Sequence, residues 1–386
     1  MLYFDVNATA PPLPEVESVY AEANRSHWHN PSSPYSRGAR VHILIDTLRQ
    51  EIGHLIGCSP ELIVFNSGAT EGNNAVLAET ARKFPNQRIV VSAIEHPCVI
   101  EPAKRYFPER HQVAKVDSSG RLDLNHLEAE LSKGGVCLVS VMAANNETGV
   151  IQPWKEALDI CRKYKVLFHC DAAQHLGKKP ANGLGDCDFV TGCGHKFGAP
   201  KGSGFIKIPE SFEDFKGTHG GGQENGHRSG TEDYPSLAAM VAALKFREHS
   251  MDAVNAAWAV NKSVFEKSLL DKIPDAVIIG QNTNRLANTS CILMPGFPGA
   301  RWVARLDKHG VSLSTGSACA SGKTGASHVL TAMGIEAEDA RRSIRISACW
   351  DATPEDWSAL TKTLFKAYDE LINEKPASPG VEVIQI

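Results

Sequence analysis

Lys196 stands in the run Thr191-Gly-Cys-Gly-His-Lys-Phe-Gly-Ala-Pro-Lys-Gly202, a glycine-rich turn that follows an apolar stretch. Glycines let backbone approach a ligand closely, and a lysine at such a place can form a Schiff base with a carbonyl compound. A surface lysine on a turn is the plain alternative. Asp171 ends the run Val166-Leu-Phe-His-Cys-Asp-Ala-Ala-Gln174, twenty-five residues before Lys196. A carboxylate at the end of a buried strand needs a cationic partner, and a protonated ring nitrogen is one. A helix cap or a paired core aspartate would leave the same trace.

Two more turns carry candidate chemistry. Asn66-Ser-Gly-Ala-Thr-Glu-Gly72 reads as a strand-to-helix turn that offers backbone amides and a threonine hydroxyl to a phosphate, or as an ordinary N-cap. Ala93-Ile-Glu-His-Pro97 sets His96 after another apolar run, where an imidazole can stack on an aromatic ring and handle protons, or be a satisfied core histidine. Pyridoxal phosphate suits the first pair: its protonated ring nitrogen answers Asp171, and that contact keeps the ring an electron sink.

The elements that must hold these residues alternate. Apolar runs at 62–65, 88–93, 136–142, 166–170, 188–191 and 204–208 read as strands covered on both faces. Helical spacing appears at 73–83, 123–131, 154–164 and 236–249, which together predict an α/β sheet with crossover helices. From Leu286 a second pattern begins, with strands near 289–294 and 343–348 and helices near 300–309 and 354–374, predicting a smaller carboxy-terminal domain.

Composition narrows the class. The 386 residues are long enough for two domains, and 42% hydrophobic with 22% charged residues excludes a disordered chain or a coiled coil. Forty Lys and Arg against 44 Asp and Glu provide no general field for polyanions, so no direct nucleic acid partner is expected. No stretch has the length of a membrane span. Ten cysteines are too sparse for a disulfide scaffold, and the amino terminus has no basic, apolar leader, so a cytoplasmic protein is expected.

The ordered motifs resemble the NifS-type cysteine desulfurases, pyridoxal phosphate enzymes of the class V aminotransferase family. The resemblance runs through Phe4-Asp-Val-Asn-Ala-Thr9, Asn30-Pro-Ser-Ser33, Ser67-Gly-Ala-Thr-Glu71, Glu95-His-Pro97, Ala144-Asn-Asn-Glu-Thr-Gly149, Asp171-Ala-Ala-Gln174, Gly194-His-Lys196 and Arg228-Ser-Gly-Thr231. It closes with Gly316-Ser-Ala-Cys319 and Ser343-Ile-Arg-Ile-Ser347. It implies the fold type I of pyridoxal phosphate transferases: a large domain with a mainly parallel seven-stranded sheet flanked by helices, and a smaller α+β domain. The large domain is expected at 15–255, and the small one at 1–14 and 256–386.

By the same resemblance Lys196 is the Schiff-base lysine, Asp171 the pyridinium partner and His96 the ring-stacking histidine. Gln174 and Asn146 lie near the cofactor phenolate and the substrate, and Ala69, Thr70, Cys193 and His195 form the phosphate cup. Thr231 reaches the phosphate of a neighbouring subunit, which implies a homodimer. Arg345 grips the substrate carboxylate, and strand parity agrees, since Ser343, Arg345 and Ser347 share one face. Cys319, in the Ser- and Gly-rich stretch 314–328, is the thiol that takes sulfur from L-cysteine as a persulfide and passes it to an acceptor protein. The acceptor is left open among iron–sulfur cluster scaffolds, tRNA thiolation proteins and DNA-modifying systems.

Two positions depart from the family pattern. Cys193 replaces the usual serine before Gly-His-Lys, and a thiol is the weaker donor to phosphate. Ala348-Cys-Trp350 stands where Gly-Arg commonly follows.

Rival readings fit less well. Five residues separate Gly316 from Gly322, one too many for a phosphate loop. A zinc site built from His169, Cys187, Cys193 and His195 lacks a CxxC pair, and no metal is expected. A silent scaffold would more often lack the lysine. Within the enzyme class the alternatives are selenocysteine lysis and transamination of a small amino acid.

Overall fold

A computed structural model describes residues 1–316 and 326–374. The chain opens with β1 (Leu2–Tyr3), α1 (Pro14–Ser26) and α2 (Ser36–Ile56). The main sheet and its crossovers follow as β2 (Ile63–Asn66), α3 (Ala69–Lys83), β3 (Arg88–Ser92), α4 (Pro97–Tyr106), β4 (His111–Ala114), α5 (Leu124–Ser132), β5 (Val136–Ser140), α6 (Trp154–Tyr164), β6 (Leu167–Asp171), β7 (Phe189–Cys193) and β8 (Gly204–Lys207). The seven strands lie in the order β2-β8-β7-β6-β5-β3-β4, and only β8 runs against the rest.

Alternate residues of the strands other than β4 feed two cores, which is why their sequences are mostly apolar. On β3, Val90 packs with Phe168, Cys170, Val190 and Phe205 on one face, while Ile89 and Val91 pack with Leu138, Phe189 and Ile206 on the other. Helix α6 shows how a crossover docks: Trp154, Ala157, Leu158 and Cys161 form one buried stripe at helical spacing. Helix α2 ends at Gly57, whose φ of +84° suits a residue without a side chain.

The second part contains α7 (Tyr234–Lys272), β9 (Val277–Ile278), β10 (Thr289–Leu293), α8 (Gly299–Lys308), β11 (Val311–Ser312), β12 (Ser314–Thr315), α9 (His328–Ala332), α10 (Ala337–Ala340), β13 (Ser343–Ser347) and α11 (Pro354–Asn373). Four strands make an antiparallel sheet in the order β12-β13-β10-β9, and β1 pairs in parallel with β11. Phe4, Trp302, Ile344, Ile346 and Leu360 share its core. Among the described residues no helix is long and apolar enough to cross a membrane.

Three differences from the sequence reading have physical causes. The seventh strand, β4, leaves no apolar run, because Gln112 and Val113 are exposed at the sheet edge. The helix read at 236–249 continues to Lys272, because its second half turns Trp258, Phe265 and Leu269 to the second core. The helix read from residue 73 starts four residues earlier, at Ala69, directly after Gly68 with its φ of +140°.

Candidate active site

A cavity of 610 Å³ opens where β6 and β7 end, the usual place for a ligand on a parallel sheet. Asp171 is the last residue of β6, Cys193 the last of β7, and His195 and Lys196 follow at once. Across from them the cavity is bounded by Asn7, Ala8 and Thr9 and by Arg345 from the second part. Ten of the twelve candidate site residues line it. The exceptions are Thr231, which lines a separate hollow beside Trp28 and Tyr234, and Cys319, which lies outside the described residues.

Lys196 and Asp171 are both held by neighbours. Lys196 Nζ donates to the carbonyls of Asn7 at 2.7 Å and Ala8 at 2.8 Å. The buried Asp171 carboxylate accepts Asn73 Nδ2 at 2.8 Å on one oxygen and the Ala173 amide at 2.9 Å on the other. Its direction is therefore set by α3 and by the turn after β6.

His96 is the N-cap of α4, and its Nδ1 accepts the Cys98 amide at 3.2 Å and lies 2.9 Å from Cys98 Sγ. Burial lowers its pKa, Lys196 and His328 push the same way, and Asp171 opposes them. An Nδ1 that accepts leaves the proton of the neutral ring on Nε2. The Cys98 thiol is pushed up by burial and stays protonated.

Helix α3 begins at Ala69 with its first-turn amides at the cavity, so Ala69 and Thr70 offer an anion the N-terminal end of a helix. Cys193 Sγ is the partner of the Ala69 amide, and burial pushes its thiol up to about 11. Burial, helped by Lys196, Lys201 and Lys178, pushes His195 down to about 4, and its Nδ1 lies 3.3 Å from Thr9 Oγ1. Glu71, one residue beyond Thr70, receives Arg228 Nε at 2.8 Å, which ties the start of α3 to the loop that carries Thr231.

Arg345 projects from β13 as strand parity predicts, with Ile344 and Ile346 turned into the core. Its Nη2 meets Asp5 Oδ1 at 2.6 Å and its Nη1 donates to the Asn146 carbonyl at 3.1 Å. Gln174 donates from Nε2 to the Asn7 carbonyl at 2.9 Å. Three participants escaped the sequence reading. Asn7 was visible only as part of a motif, Cys98 as a residue beside His96, and Lys178 as one lysine of a polar turn, Gly177-Lys-Lys-Pro180.

Pyridoxal phosphate requires an amine for its aldehyde, a carboxylate for its ring nitrogen and an anion-binding turn for its phosphate. One cavity presents Lys196, Asp171 and the start of α3, so the residues fit the group. The chain is similar to known proteins along most of its length. A cysteine desulfurase of Nostoc sp. is 35% identical over 358 residues, which cover 90% of this chain and 88% of the relative. Cysteine desulfurase NifS of Azotobacter vinelandii is 33% identical over 388 residues, covering 98% and 95%. A solved NifS-like protein superposes with a TM-score of 0.88 at 31% identity, over 96% of this chain and 99% of that one. The family description "Aminotransferase class-V" matches residues 2–360, and the chain belongs to that family of pyridoxal phosphate enzymes.

Proposed function

We propose that the protein is a cysteine desulfurase, converting L-cysteine to L-alanine and leaving the sulfur as a persulfide on Cys319. The observation that carries the reading is the meeting of Lys196, Asp171 and Arg345 in one cavity, in a chain 35% identical to a curated cysteine desulfurase. The residues that flank 317–325 also favour it. Ser327 Oγ donates to Glu147 Oε2 at 2.6 Å, and a side chain at Gly316 would come within 3.7 Å of the same oxygen. Glu147 adjoins Asn146 of the cavity wall, so both flanks of the segment that holds Cys319 meet the residue next to that wall.

Bound pyridoxal phosphate supplies the electron sink that makes an amino acid's Cα proton removable. In this reading Lys196 would hold the cofactor through its aldehyde, and its Nζ would be the base that takes that proton. Asp171 would hold the proton of the ring nitrogen, and the neutral His96 would face the ring. Arg345 holds the substrate carboxylate, next to Asn146. The Cys319 thiolate attacks the substrate sulfur, forming an S–S bond as the Cβ–S bond breaks. The carbon keeps the electron pair and takes a proton, so one L-cysteine and one thiol become one L-alanine and one persulfide.

The reading includes a homodimer in which Thr231 reaches the phosphate bound by the partner subunit. It is supported by the position of Thr231, outside its own chain's cavity and beside Trp28, which is 66% exposed and stacks on His29. Tyr35, whose ring meets His29 edge-on, extends the exposed apolar surface there. We place the domain boundaries at 15–255 and at 1–14 with 256–386, because Phe4 packs in the second core and α7 passes from the first core at Leu244 to the second at Trp258. The cytoplasm is the proposed compartment, on the strength of nine described cysteines that are all free thiols. A sulfur-acceptor protein completes the cycle.

The test is incubation of the holoenzyme with L-cysteine, measuring alanine and protein-bound sulfur together. Both should appear with the wild type and neither with Cys319→Ala. Alanine release by Cys319→Ala at the wild-type rate would overturn the reading in favour of a lyase without an enzyme nucleophile.

A further inference from the structure

Lys178 is 2% exposed, and among the described residues no carboxylate pairs with it. A buried lysine in such surroundings is costly to a fold. Lys196 beside the cavity, Arg345 from β13 and Arg247 from α7 all surround it with like charge, and burial with these neighbours pushes its pKa well below the ordinary lysine range. What it touches is a pair of amide oxygens. Its Nζ donates to Asn7 Oδ1 at 2.9 Å and to Gln174 Oε1.

An amine that points its N–H bonds at two amides decides how both are turned. With Oδ1 held, Asn7 sends its Nδ2 to Thr289 Oγ1 at 2.9 Å and to the Asn146 carbonyl at 3.2 Å. With Oε1 held, Gln174 sends its Nε2 to the Asn7 carbonyl at 2.9 Å, the carbonyl that also receives Lys196 Nζ at 2.7 Å. Charged or neutral, the Lys178 nitrogen carries at least two N–H bonds, enough for both oxygens, so the orientation survives loss of its charge. Nε2 has a second hydrogen beyond the one given to Asn7, and Gln174 lines the cavity.

We propose that Lys178 is a positioning residue: by holding Gln174 Oε1 it fixes the amide with Nε2 toward the cavity, where it donates to the phenolate oxygen of pyridoxal phosphate bound at Lys196. This rests on the reading of Lys196 as the cofactor lysine and Gln174 as the neighbour of the phenolate. The opposite amide orientation would set Oε1 against the phenolate oxygen, two acceptors facing one another. A donor there drains the negative charge that retains the imine proton between Lys196 and the cofactor. The proton is then lost at lower pH than it would be without the donor.

The experiment is a visible absorption titration of the holoenzyme, comparing wild type, Lys178→Met, Gln174→Ala and the double variant. Lys178→Met should titrate higher by roughly half to one pH unit, a three- to tenfold change in the protonation constant. Gln174→Ala should shift the same way, and adding Lys178→Met to it should move the midpoint little further. An unmoved midpoint in Lys178→Met, or an undiminished shift in the Gln174→Ala background, overturns the proposal. Lys178→Leu, equally without a donor, takes the place of Lys178→Met if that variant does not fold, with the same two readings. A wild type that binds no pyridoxal phosphate and shows no visible band would instead overturn the cofactor reading, so the two failures are distinct.

Discussion

The Arg345 guanidinium and the Asp5 carboxylate, 340 residues apart in the chain, meet at 2.6 Å beside the cavity. Asp5 is itself held by Ser314 Oγ at 2.9 Å, and the Asn146 carbonyl takes the other arm of the guanidinium. The arginine is thus oriented before any substrate arrives, and its planar fork can serve Asp5 and a second carboxylate together. A lysine cannot. Arg345→Lys should raise KM for L-cysteine by about tenfold or more, the value of one charged hydrogen bond, with kcat changed less. Steady-state kinetics decide it, and an unchanged KM would remove Arg345 from substrate binding.

Lys196 should carry the cofactor covalently. Borohydride reduction of the holoenzyme followed by peptide mass spectrometry should place the pyridoxyl group on Lys196. A label on Lys178 or Lys201, the latter also at the cavity, would move the chemistry to another amine. Lys196→Ala should fold and hold pyridoxal phosphate loosely without turnover.

Cys193 accepts the Ala69 amide through a neutral thiol at the start of α3, the proposed phosphate site. A hydroxyl in its place can accept that amide and donate its own proton to a phosphate oxygen. Cys193→Ser should tighten pyridoxal phosphate binding by roughly one hydrogen bond, about 0.5–1.5 kcal/mol, measured as the Kd of the reconstituted apoenzyme. Equal or weaker binding would mean that the group at this position does not face the phosphate.

Burial pushes the Glu147 carboxyl up from 4.5 to about 7, against the opposing pull of Ser327 and Arg345. A raised pKa means that the folded protein keeps a proton that the unfolded chain releases, so stability falls as pH rises from 4.5 through about 7 and levels off above. The loss is on the order of 3 kcal/mol at most. Glu147→Gln has no such proton. In thermal melts at pH 5 and pH 8, the variant should gain on the wild type at the higher pH. An equal difference at both values would show that Glu147 ionises at its ordinary pKa in the folded protein.

Much of the candidate site was legible, in that ten of its twelve residues line one cavity, because they sit at fixed places on regular elements. Strands β5, β6 and β7 are buried on both faces, so their sequences announce them, and Asp171 and Cys193 end two of these strands. Parity on β13 set the direction of Arg345 without coordinates, since Ile344 and Ile346 had to face a core. The turns after strands β2, β3 and β7 were marked by Gly, Pro and Thr, and they do converge on one cavity.

Whatever depends on distant partners was not legible. β4 is an edge strand whose middle residues meet solvent, so it lacks the apolar signature of its neighbours. The second half of α7 packs against residues encoded after it, so Trp258, Phe265 and Leu269 face a core that the preceding sequence does not contain. Lys178 reads as a solvated lysine in a polar turn until the fold buries it against the amide oxygens of Asn7 and Gln174. Asp5 likewise becomes the partner of Arg345 only because β1 pairs with β11 and Asp5 bridges to Ser347 on β13. Local sequence determines which way a side chain leaves its strand and whether that strand is covered. The group that the side chain then meets is chosen by contacts between residues hundreds of positions apart, which only the packed chain brings together.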